Sequence, residues 1–315
     1  MSRGALWGVI LAGGEGQRLR GFLRSVHGTD RPKQFCAVIG TRSMLRHTVE
    51  RVNRLIPAER TVTVVTAGHR PFVAEDLVAE APRSLVEQPA NRDTAPGILL
   101  PLAAILRRDP TARVAIFPSD HFILEESRFM DWVARAAGAV DRAPHRIALL
   151  GIAPDHIASG YGWIEPGPDL WPPGFFAVRR FWEKPDSATV RRLFAAGCLL
   201  NTFVVVAAAR TLWEVTRRCL PHVVARFEQI ARAWESPLRN AVLHEAYAAM
   251  APANFSREVL ERMPERLGVL EVRDVLWSDW GEPARVVETV RRIGSQPPWL
   301  SRVEHSRPSE GWDGP

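Results

Sequence analysis

The two lysines of this 315-residue chain are the residues from which a chemical interpretation can start. Of its 41 lysine and arginine residues, only Lys33 and Lys184 are lysine. A lysine ammonium is a compact point charge, whereas an arginine guanidinium is a planar fork. Because the chain uses arginine almost everywhere else, lysine at these two positions indicates sites that need a compact cation. The alternative is that these two lysines remain in an arginine-biased chain by chance and have no special role.

A glycine-rich loop follows an apolar, strand-like run at residues 7–12. Glycines after a parallel strand let the backbone approach a phosphate chain, with N–H groups directed at its oxygens. The spacing fits neither a dinucleotide fingerprint nor a Walker A loop, and a tight strand–helix turn would show the same glycines. With a triphosphate on this loop, Arg18 and Lys33 would neutralise charge that develops on a departing pyrophosphate. The loop glycines are Gly13, Gly14 and Gly16.

Two aspartates follow strand-like segments, at Asp120 and Asp279. In open α/β sheets ligands bind at the carboxyl ends of the strands, so Asp120 is well placed to hold a cation. Mg²⁺ takes one or two carboxylates together with phosphate oxygens, so Asp279 could provide the second ligand. Asp120 could instead cap the helix that follows. His121 is interpreted as a packing or hydrogen-bonding residue, because no partner has zinc spacing.

The second lysine stands beside an acid, in the sequence Glu183-Lys184-Pro185. A carboxylate that accepts sugar hydroxyl hydrogens, next to an ammonium that holds a phosphate, suits a phosphosugar. Gly162, in a Gly-Tyr-Gly sequence, and Asn201 could complete such a pocket. Each of these residues is ordinary in a turn or strand edge when considered alone.

Apolar β-branched runs alternate with segments of helical period, which predicts βα units and a mainly parallel sheet flanked by helices. Thr94 is predicted to cap a helix with proline in its first turn, and a loop is predicted at 166–174. We expect one domain over residues 1–295 and a disordered tail at 296–315. Strands are predicted at 7–12, 61–66, 113–117, 146–152, 176–181, 202–207 and 267–272. Helices are predicted at 44–55, 94–107, 127–140, 187–196 and 283–292, with two or three more over 211–250.

Composition excludes several other classes. The net charge of +6 and pI of about 10 come from scattered arginines outside any aromatic–basic motif, so we expect no nucleic-acid partner. The apolar N-terminal run is too short for a membrane span and has no A-x-A cleavage site, so we expect no membrane association. Three cysteines without metal or redox spacing indicate reduced thiols and a cytoplasmic location.

A set of motifs occurs in one order over roughly residues 7–292. Together they resemble the sugar-phosphate nucleotidyltransferase family, and most closely its mannose-1-phosphate guanylyltransferases. The glycine loop with PKQ is typical of the whole family, whereas PKQF, TAP and PSDH are typical of the guanylyl branch. The motifs are LAGGEGQRL (11–19), RPKQF (31–35), EQPANRDTAP (87–96), FPSDH (117–121), GYG (160–162), EKP (183–185), Asn201 and DWG (279–281).

The resemblance implies a Rossmann-like core with a mixed, mostly parallel sheet, and GTP and mannose 1-phosphate as substrates. The motifs are also compatible with a homo-oligomer. Carried over position by position, it implies that Asp120 and Asp279 hold Mg²⁺, and that Lys184 holds the sugar phosphate. It assigns the sugar to Gly162, Glu183 and Asn201. It assigns the nucleotide to Gly13, Gly14, Gly16, Arg18, Lys33 and Thr94, and catalysis to Arg18, Lys33, Asp120 and Lys184.

Some positions depart from the family pattern. Asp93 replaces a frequent asparagine, and the segment from Asn201 is shortened, which leaves the base and the sugar open. The loop after Leu19 and the residues after Asp279 also differ. Alternatives are a nucleotidyltransferase for another sugar or base, a catalytically silent nucleotide-sugar-binding regulator of the same fold, and a basic nucleic-acid-binding protein.

Overall fold

The structure is a computed structural model that describes residues 4–28, 30–76, 84–171 and 174–305. Its strands are β1 (Leu6–Leu11), β2 (Thr61–Thr66), β3 (Leu85–Gln88), β4 (Arg113–Pro118), β5 (Phe122–Ile123), β6 (Ile147–Ile152), β7 (Gly162–Trp171), β8 (Phe175–Glu183), β9 (Leu199–Ala208), β10 (Leu267–Val272) and β11 (Trp277–Ser278). Its helices are α1 (Arg20–His27), α2 (Met44–Asn53), α3 (Arg70–Asp76), α4 (Thr94–Arg108), α5 (Glu126–Arg142), α6 (Ser187–Ala195), α7 (Ala209–Cys219), α8 (Pro221–Arg232), α9 (Arg239–Ala248), α10 (Pro283–Arg292) and α11 (Pro298–His305).

Nine strands form one sheet in the order β3-β2-β1-β4-β9-β6-β10-β8-β7, and β7 also pairs with β9. Parallel pairs join β1 to β2 and β4, β2 to β3, and β6 to β10. Strand β9 is antiparallel to β4, β6 and β7, and β8 is antiparallel to β10 and β7. Among these described strands, β8 and β9 oppose the common direction. The predicted α/β fold with a mixed, mostly parallel sheet is therefore confirmed.

The sheet is buried on both faces, which is why its central strands are continuous β-branched and apolar runs. Successive side chains of a strand point to opposite faces, so Val9 belongs to one core cluster and Ile10 to another. Helices α4, α7 and α8 cover the first face, while α2 and α5 cover the second. Each apolar side chain buried in this way contributes about 1.5–3 kcal/mol.

The ends of the parallel strands determine where the predicted site lies. Leu11 at the end of β1 is opposite Pro118 at the end of β4, so the glycine loop and Asp120 emerge at the same sheet edge. A separate two-stranded ribbon pairs β5 with β11 and places Ser278 opposite Phe122. This ribbon brings Asp279, which is distant in sequence, to the neighbourhood of Asp120.

Most predicted elements are present within a few residues, and the 211–250 stretch forms α7, α8 and α9. The loop predicted at 166–174 is wrong over most of its described length, because β7 continues to Trp171. Irregular register near Pro166 and Asp169 accommodates prolines in this strand. The predicted cap of α4 is also wrong by one residue. Asp93 is the N-cap, and its carboxylate accepts a hydrogen bond from the N–H of Thr94.

The prediction of a disordered tail from residue 296 is wrong for the part that the structure describes, and residues 306–315 lie outside it. Helix α11 lies over α1 and buries Trp299, which is 4% exposed. The Trp299 indole donates to the carbonyl of Val38 at 2.8 Å and meets the edge of Phe22, with ring centroids 5.5 Å apart. The proline, serine and glycine residues around the helix led to the prediction of disorder, although Trp299 and Leu300 pack in an apolar cluster with residues of α1.

Replacing Trp299 with alanine is expected to lower the free energy of unfolding by about 3–5 kcal/mol, the usual cost of removing a buried tryptophan. The measurement is urea unfolding followed by circular dichroism. Leu238→Ala is the control, because Leu238 is an apolar residue that is 66% exposed and should change stability by less than about 0.5 kcal/mol. A loss below about 1 kcal/mol for Trp299→Ala would contradict the packing of α11.

Candidate active site

The glycine loop after β1 is held by buried side chains that bind its carbonyl groups. The amide of Gln34 donates to the carbonyl oxygens of Ala12 at 2.8 Å and Gly14 at 2.9 Å. The hydroxyl of Thr66 donates to the carbonyl oxygen of Gly13 at 3.2 Å. These bonds engage loop carbonyls and not the N–H groups that phosphate oxygens would need. The loop is therefore fixed in a form that can accept a phosphate chain.

Lys33 is buried beneath the glycine loop, with 4% of its surface exposed. Its ammonium donates to the Asp120 carboxylate at 3.0 Å and to the backbone carbonyl of Asp279 at 2.5 Å. A Cβ on Gly16 would stand 2.9 Å from the Cβ of Lys33, and Gly16 has a left-handed φ of 60°. Glycine is required there because the backbone passes directly over the lysine.

The Asp120 carboxyl is ionised at neutral pH. Burial alone would raise its pKa, but the neighbouring Lys33 ammonium acts in the opposite direction and contributes to holding the pKa below its ordinary range. Asp120 also lines the cleft above the glycine loop. The alternative role of Asp120 as a helix cap is wrong, because α5 begins at Glu126 with Glu125 in the cap position.

Asp279 is held by three donors that all bind one of its oxygens. Oδ1 accepts from the Tyr161 hydroxyl at 2.8 Å, from Arg285 at 3.0 Å and from the N–H of Gly281 at 3.0 Å. Burial acts to raise the pKa of Asp279, but Arg285 and the Tyr161 hydrogen bond contribute to holding it below its ordinary range. The carboxylate is therefore ionised, and its Oδ2 lies beside Gly281, 2.5 Å from the position that a Cβ on that glycine would take.

Asp120 and Asp279 suit a magnesium ion that is also bound by substrate phosphates. Both are ionised oxygen donors that contact the same lysine, Asp120 through its side chain and Asp279 through its carbonyl. Among the described residues, no three potential metal-ligating side chains cluster together. A closed protein cage is not needed for Mg²⁺, which usually keeps waters and phosphate oxygens in its shell.

The residues predicted to bind a sugar come together at the ends of β7, β8 and β9. A Cβ on Gly162 would lie 3.2 Å from a Glu183 oxygen and 3.3 Å from the Asn201 Cβ. Asn201 is buried, and its side-chain oxygen accepts from the N–H of Phe203 at 3.1 Å. Gly162 thus keeps space open between the acid and the amide.

Lys184 differs from Lys33 in exposure. Its side chain is 50% exposed, and its ammonium lies 3.9 Å from Glu183. Its backbone is left-handed, with a φ of 50°, and its N–H donates to the carbonyl of Tyr161 at 3.2 Å. Such backbone strain concentrates at functional sites. Asp93 and Phe203, which line the cleft above the glycine loop, and Trp280, next to Asp279, also have positive φ angles.

Arg18 is exposed and extends from the glycine loop towards the Asp279 segment. Its guanidinium lies 3.4 Å from the position that a Cβ on Gly281 would take, and 3.9 Å from that on Gly160. Arg18 therefore stands between the loop and the sugar-side residues. This position suits a cation that contacts phosphates from the outside.

A cleft of about 540 Å³ opens above the glycine loop. Its walls include Thr94, whose hydroxyl oxygen accepts from the N–H of Phe255 at 2.8 Å. Gln88 is a wall residue that the sequence analysis did not select, although it lies in the EQP motif. The Tyr247 hydroxyl donates to the side-chain oxygen of Gln88 at 3.1 Å, so the Gln88 amide nitrogen remains as a donor near Gly13.

Three further residues of the site were not selected from the sequence. Tyr247 and Arg285 belong to none of the motifs, and Tyr161 lies within the GYG motif without a predicted role of its own. Tyr161 and Arg285 both bind the Asp279 carboxylate. The position of Tyr161 beside Asp279 follows from the fold, because 118 residues separate the two, whereas Arg285 lies only six residues after Asp279.

Cys36 and His121 lie near the site without the properties of an activated nucleophile. Burial raises the pKa of the Cys36 thiol to about 11, which keeps it protonated and unreactive. Burial also lowers the pKa of His121, so its imidazole is neutral at pH 7. His121 packs against Trp277 with ring centroids 5.4 Å apart, consistent with the predicted packing role.

Glu183 provides a pH-dependent test. Burial raises the pKa of Glu183, and Lys184 and Arg257 offset part of this rise. If its carboxylate binds sugar hydroxyls, KM for the sugar phosphate should increase as pH falls, beginning at a higher pH than for an ordinary glutamate. Steady-state kinetics across mildly alkaline to mildly acidic pH would measure this, with Glu183→Gln as the control. The glutamine variant should keep only the dependence due to the substrate phosphate, whose pKa is about 6; identical profiles would contradict the role.

The chain belongs to the nucleotidyl transferase family, whose model matches residues 7–294. The predicted family resemblance is thereby confirmed.

The chain spans about 60% of the length of the curated relatives that it matches over nearly its whole length. It is 29% identical over 293 residues to xanthan biosynthesis protein XanB of Xanthomonas campestris pv. campestris, covering 91% of this chain and 60% of that protein. It is 30% identical over 290 residues to the mannose-1-phosphate guanylyltransferase ManC of Salmonella typhimurium, covering 89% and 58%.

Solved structures agree on the fold. The crystal structure of a mannose-1-phosphate geranyltransferase from Thermus thermophilus has a TM-score of 0.77 at 27% identity, covering 93% of this chain and 80% of that one. The inositol-1-phosphate CTP transferase of T. maritima has a TM-score of 0.55 at 14% identity, covering 98% and 99%, which reflects the fold alone. Within the described ranges, no helix is long and apolar enough to cross a bilayer.

Proposed function

We propose that this protein transfers GMP from GTP to mannose 1-phosphate, giving a nucleotide sugar and releasing pyrophosphate. The observation that carries the proposal is the buried Lys33 ammonium, which joins the Asp120 and Asp279 segments directly beneath a glycine loop. A triphosphate on this loop would have a fixed cation and two ionised carboxylates beside it. The Glu183 cluster would hold the second substrate.

The chemistry needs positioning and charge more than proton transfer. A sugar phosphate is largely dianionic at pH 7, so its oxygen can attack the α-phosphorus in line without a general base. Lys33 and Arg18 would neutralise charge on the departing pyrophosphate, while Lys184 orients the attacking phosphate. Asp120 and Asp279 would hold Mg²⁺, which supplies further charge neutralisation when it is bound.

The assignments of the base and of the sugar are supported by separate observations. Relatives named as mannose-1-phosphate guanylyltransferases favour guanine and mannose. Gln88 offers an amide donor in the cleft, because Tyr247 engages its oxygen, and such a donor suits an acceptor on a base edge. Glu183 and Asn201 supply acceptors and a donor for sugar hydroxyls.

The proposed catalytic unit includes the helix α11 as well as residues up to 295, because Trp299 packs against residues of α1. A cytoplasmic location is proposed from the cysteines: Cys36, Cys198 and Cys219 are free thiols, which suits a reducing compartment.

A pyrophosphate-release assay that crosses the four ribonucleoside triphosphates with a panel of sugar 1-phosphates tests the proposal. The expected result is highest kcat/KM for GTP with mannose 1-phosphate in the presence of Mg²⁺. Turnover with a different pair only would support nucleotidyl transfer and would show that the assignment of GTP and mannose 1-phosphate is wrong. Absence of turnover with every pair would overturn the proposal, and nucleotide-sugar binding without turnover would indicate a silent regulator.

A further inference from the structure

Arg285 in α10 joins two parts of the site that are distant in sequence. One guanidinium nitrogen, Nη1, donates to the Asp279 carboxylate at 3.0 Å. The other, Nη2, donates to the backbone carbonyl of Ser159 at 2.8 Å, directly before the Gly-Tyr-Gly segment. The Arg285 side chain is 10% exposed, so both bonds form largely away from water.

Tyr161 completes the same connection. Its hydroxyl donates to Asp279 at 2.8 Å, and its ring lies 4.2 Å from the centre of the Arg285 guanidinium. Its carbonyl accepts from the N–H of Lys184 at 3.2 Å. A continuous chain of contacts therefore runs from the Asp279 carboxylate through Arg285 and Tyr161 to the second lysine.

We propose that Arg285 and Tyr161 are positioning residues. They orient the Asp279 carboxylate towards the metal, and they hold the Gly160–Gly162 turn and Lys184, which is proposed to bind the sugar phosphate, at a fixed position relative to it. This inference rests on the proposed function. Three donors on Oδ1, including the N–H of Gly281, fix the rotation of the carboxylate, and Oδ2 would then be the oxygen that binds a cation. Groups that orient a metal ligand in this way typically account for about 10- to 100-fold in metal affinity.

The chemistry of the arginine fork explains why this position suits arginine. Its two terminal nitrogens reach two different acceptors, and its central carbon lies over the tyrosine ring. A lysine ammonium could bind Asp279 or the Ser159 carbonyl, but it would not reach both acceptors in this fork geometry. Arg285→Lys therefore keeps the charge and removes the geometry, which separates positioning from simple charge balance.

The test measures metal binding directly, without turnover. Mn²⁺ is titrated by electron paramagnetic resonance into the full chain with a GTP analogue that carries a methylene bridge between the α and β phosphates. We expect the Mn²⁺ Kd to rise about 10- to 100-fold in Arg285→Lys, and by a smaller factor in Tyr161→Phe, which removes one donor and keeps the ring. KM for mannose 1-phosphate should rise in the same variants.

Arg113→Lys is the matched control. Arg113 also pairs with an aspartate, Asp141, at 2.9 Å, and its side chain is 19% exposed, but it lies at the start of β4, at the opposite sheet edge from Asp120. The control should leave the Mn²⁺ Kd unchanged. An unchanged Mn²⁺ Kd in a folded Arg285→Lys variant would overturn the proposal. Should that variant fail to fold, an unchanged Mn²⁺ Kd in Tyr161→Phe would overturn it in the same way.

The same experiment separates this proposal from the proposed function. Wild-type chain that binds Mn²⁺ with the analogue but turns over no substrate pair would contradict the reaction alone, and the Arg285 comparison would still be obtained from binding. Wild-type turnover together with equal Mn²⁺ affinity in the folded variants would contradict the positioning role alone.

Discussion

Replacing Asp120 with alanine is expected to lower kcat by about 10³-fold or more at saturating substrates. A catalytic metal contributes several kcal/mol of charge stabilisation, and each ~1.36 kcal/mol is a tenfold change in rate. Asp120 is both a proposed ligand of this metal and the carboxylate partner of the buried Lys33 at 3.0 Å. Its removal would therefore disturb two cations in the transition state. The measurement is pyrophosphate release at several Mg²⁺ concentrations.

Alanine at this position would also leave the Lys33 ammonium with the Asp279 carbonyl as its hydrogen-bond partner, which is expected to lower stability. Asp120→Asn preserves the side-chain volume and a hydrogen-bonding oxygen, so it separates lost charge from lost structure. Asp141→Asn is the control, because Asp141 pairs with Arg113 away from the cleft. Near-normal kcat in a folded Asp120→Asn variant would show that the metal assignment is wrong.

Replacing Lys33 with arginine is expected to lower kcat/KM by about 10²- to 10³-fold, the usual effect of losing one preorganised charge-stabilising donor. Arginine keeps the positive charge of Lys33, but its larger head group does not fit the space that the lysine occupies. Lys33 is 4% exposed, and Gly16 passes close to its Cβ. A planar guanidinium cannot occupy the point between Asp120 and the Asp279 carbonyl without moving the loop or the ribbon. Steady-state kinetics with circular dichroism as a folding check would measure this loss.

The same substitution elsewhere gives graded comparisons. Lys184→Arg should reduce kcat/KM by a smaller factor, about tenfold, because its side chain is 50% exposed and has room for a larger head group. The reverse change Arg142→Lys, at an exposed position that ends α5, should have no measurable effect. Equal activity of Lys33→Arg and Arg142→Lys would refute the requirement for a compact ammonium.

The arginine bias of the composition drew attention to both lysines, and the structure then showed that their environments differ. Lys33 is a buried cation fixed by an aspartate and a carbonyl, whereas Lys184 is half exposed on a left-handed backbone. Composition carries information on charge type, but burial depends on which segments cover a residue. The covering segments here are the glycine loop and the β5–β11 ribbon.

By itself, the sequence determined the α/β fold and the family, and it predicted the positions to which the chemistry is assigned in the proposed function. This was possible because glycine loops, strand-end acids and alternating periods are local patterns, which can be recognised along a chain. It also predicted that Asp120 would stand at the carboxyl end of a strand, and in the structure Pro118 ends β4 beside the end of β1.

The tertiary structure alone decided how those positions act together. Tyr161 lies 118 residues before Asp279, so no local pattern revealed their contact. Arg285 is only six residues after Asp279, but it also binds the carbonyl of Ser159, which is 126 residues away. Trp299 likewise anchors α11 through a contact with Val38 across 261 residues. Hydrogen bonds and packing over such separations form only when the tertiary structure brings the residues together, so local residue patterns cannot predict them.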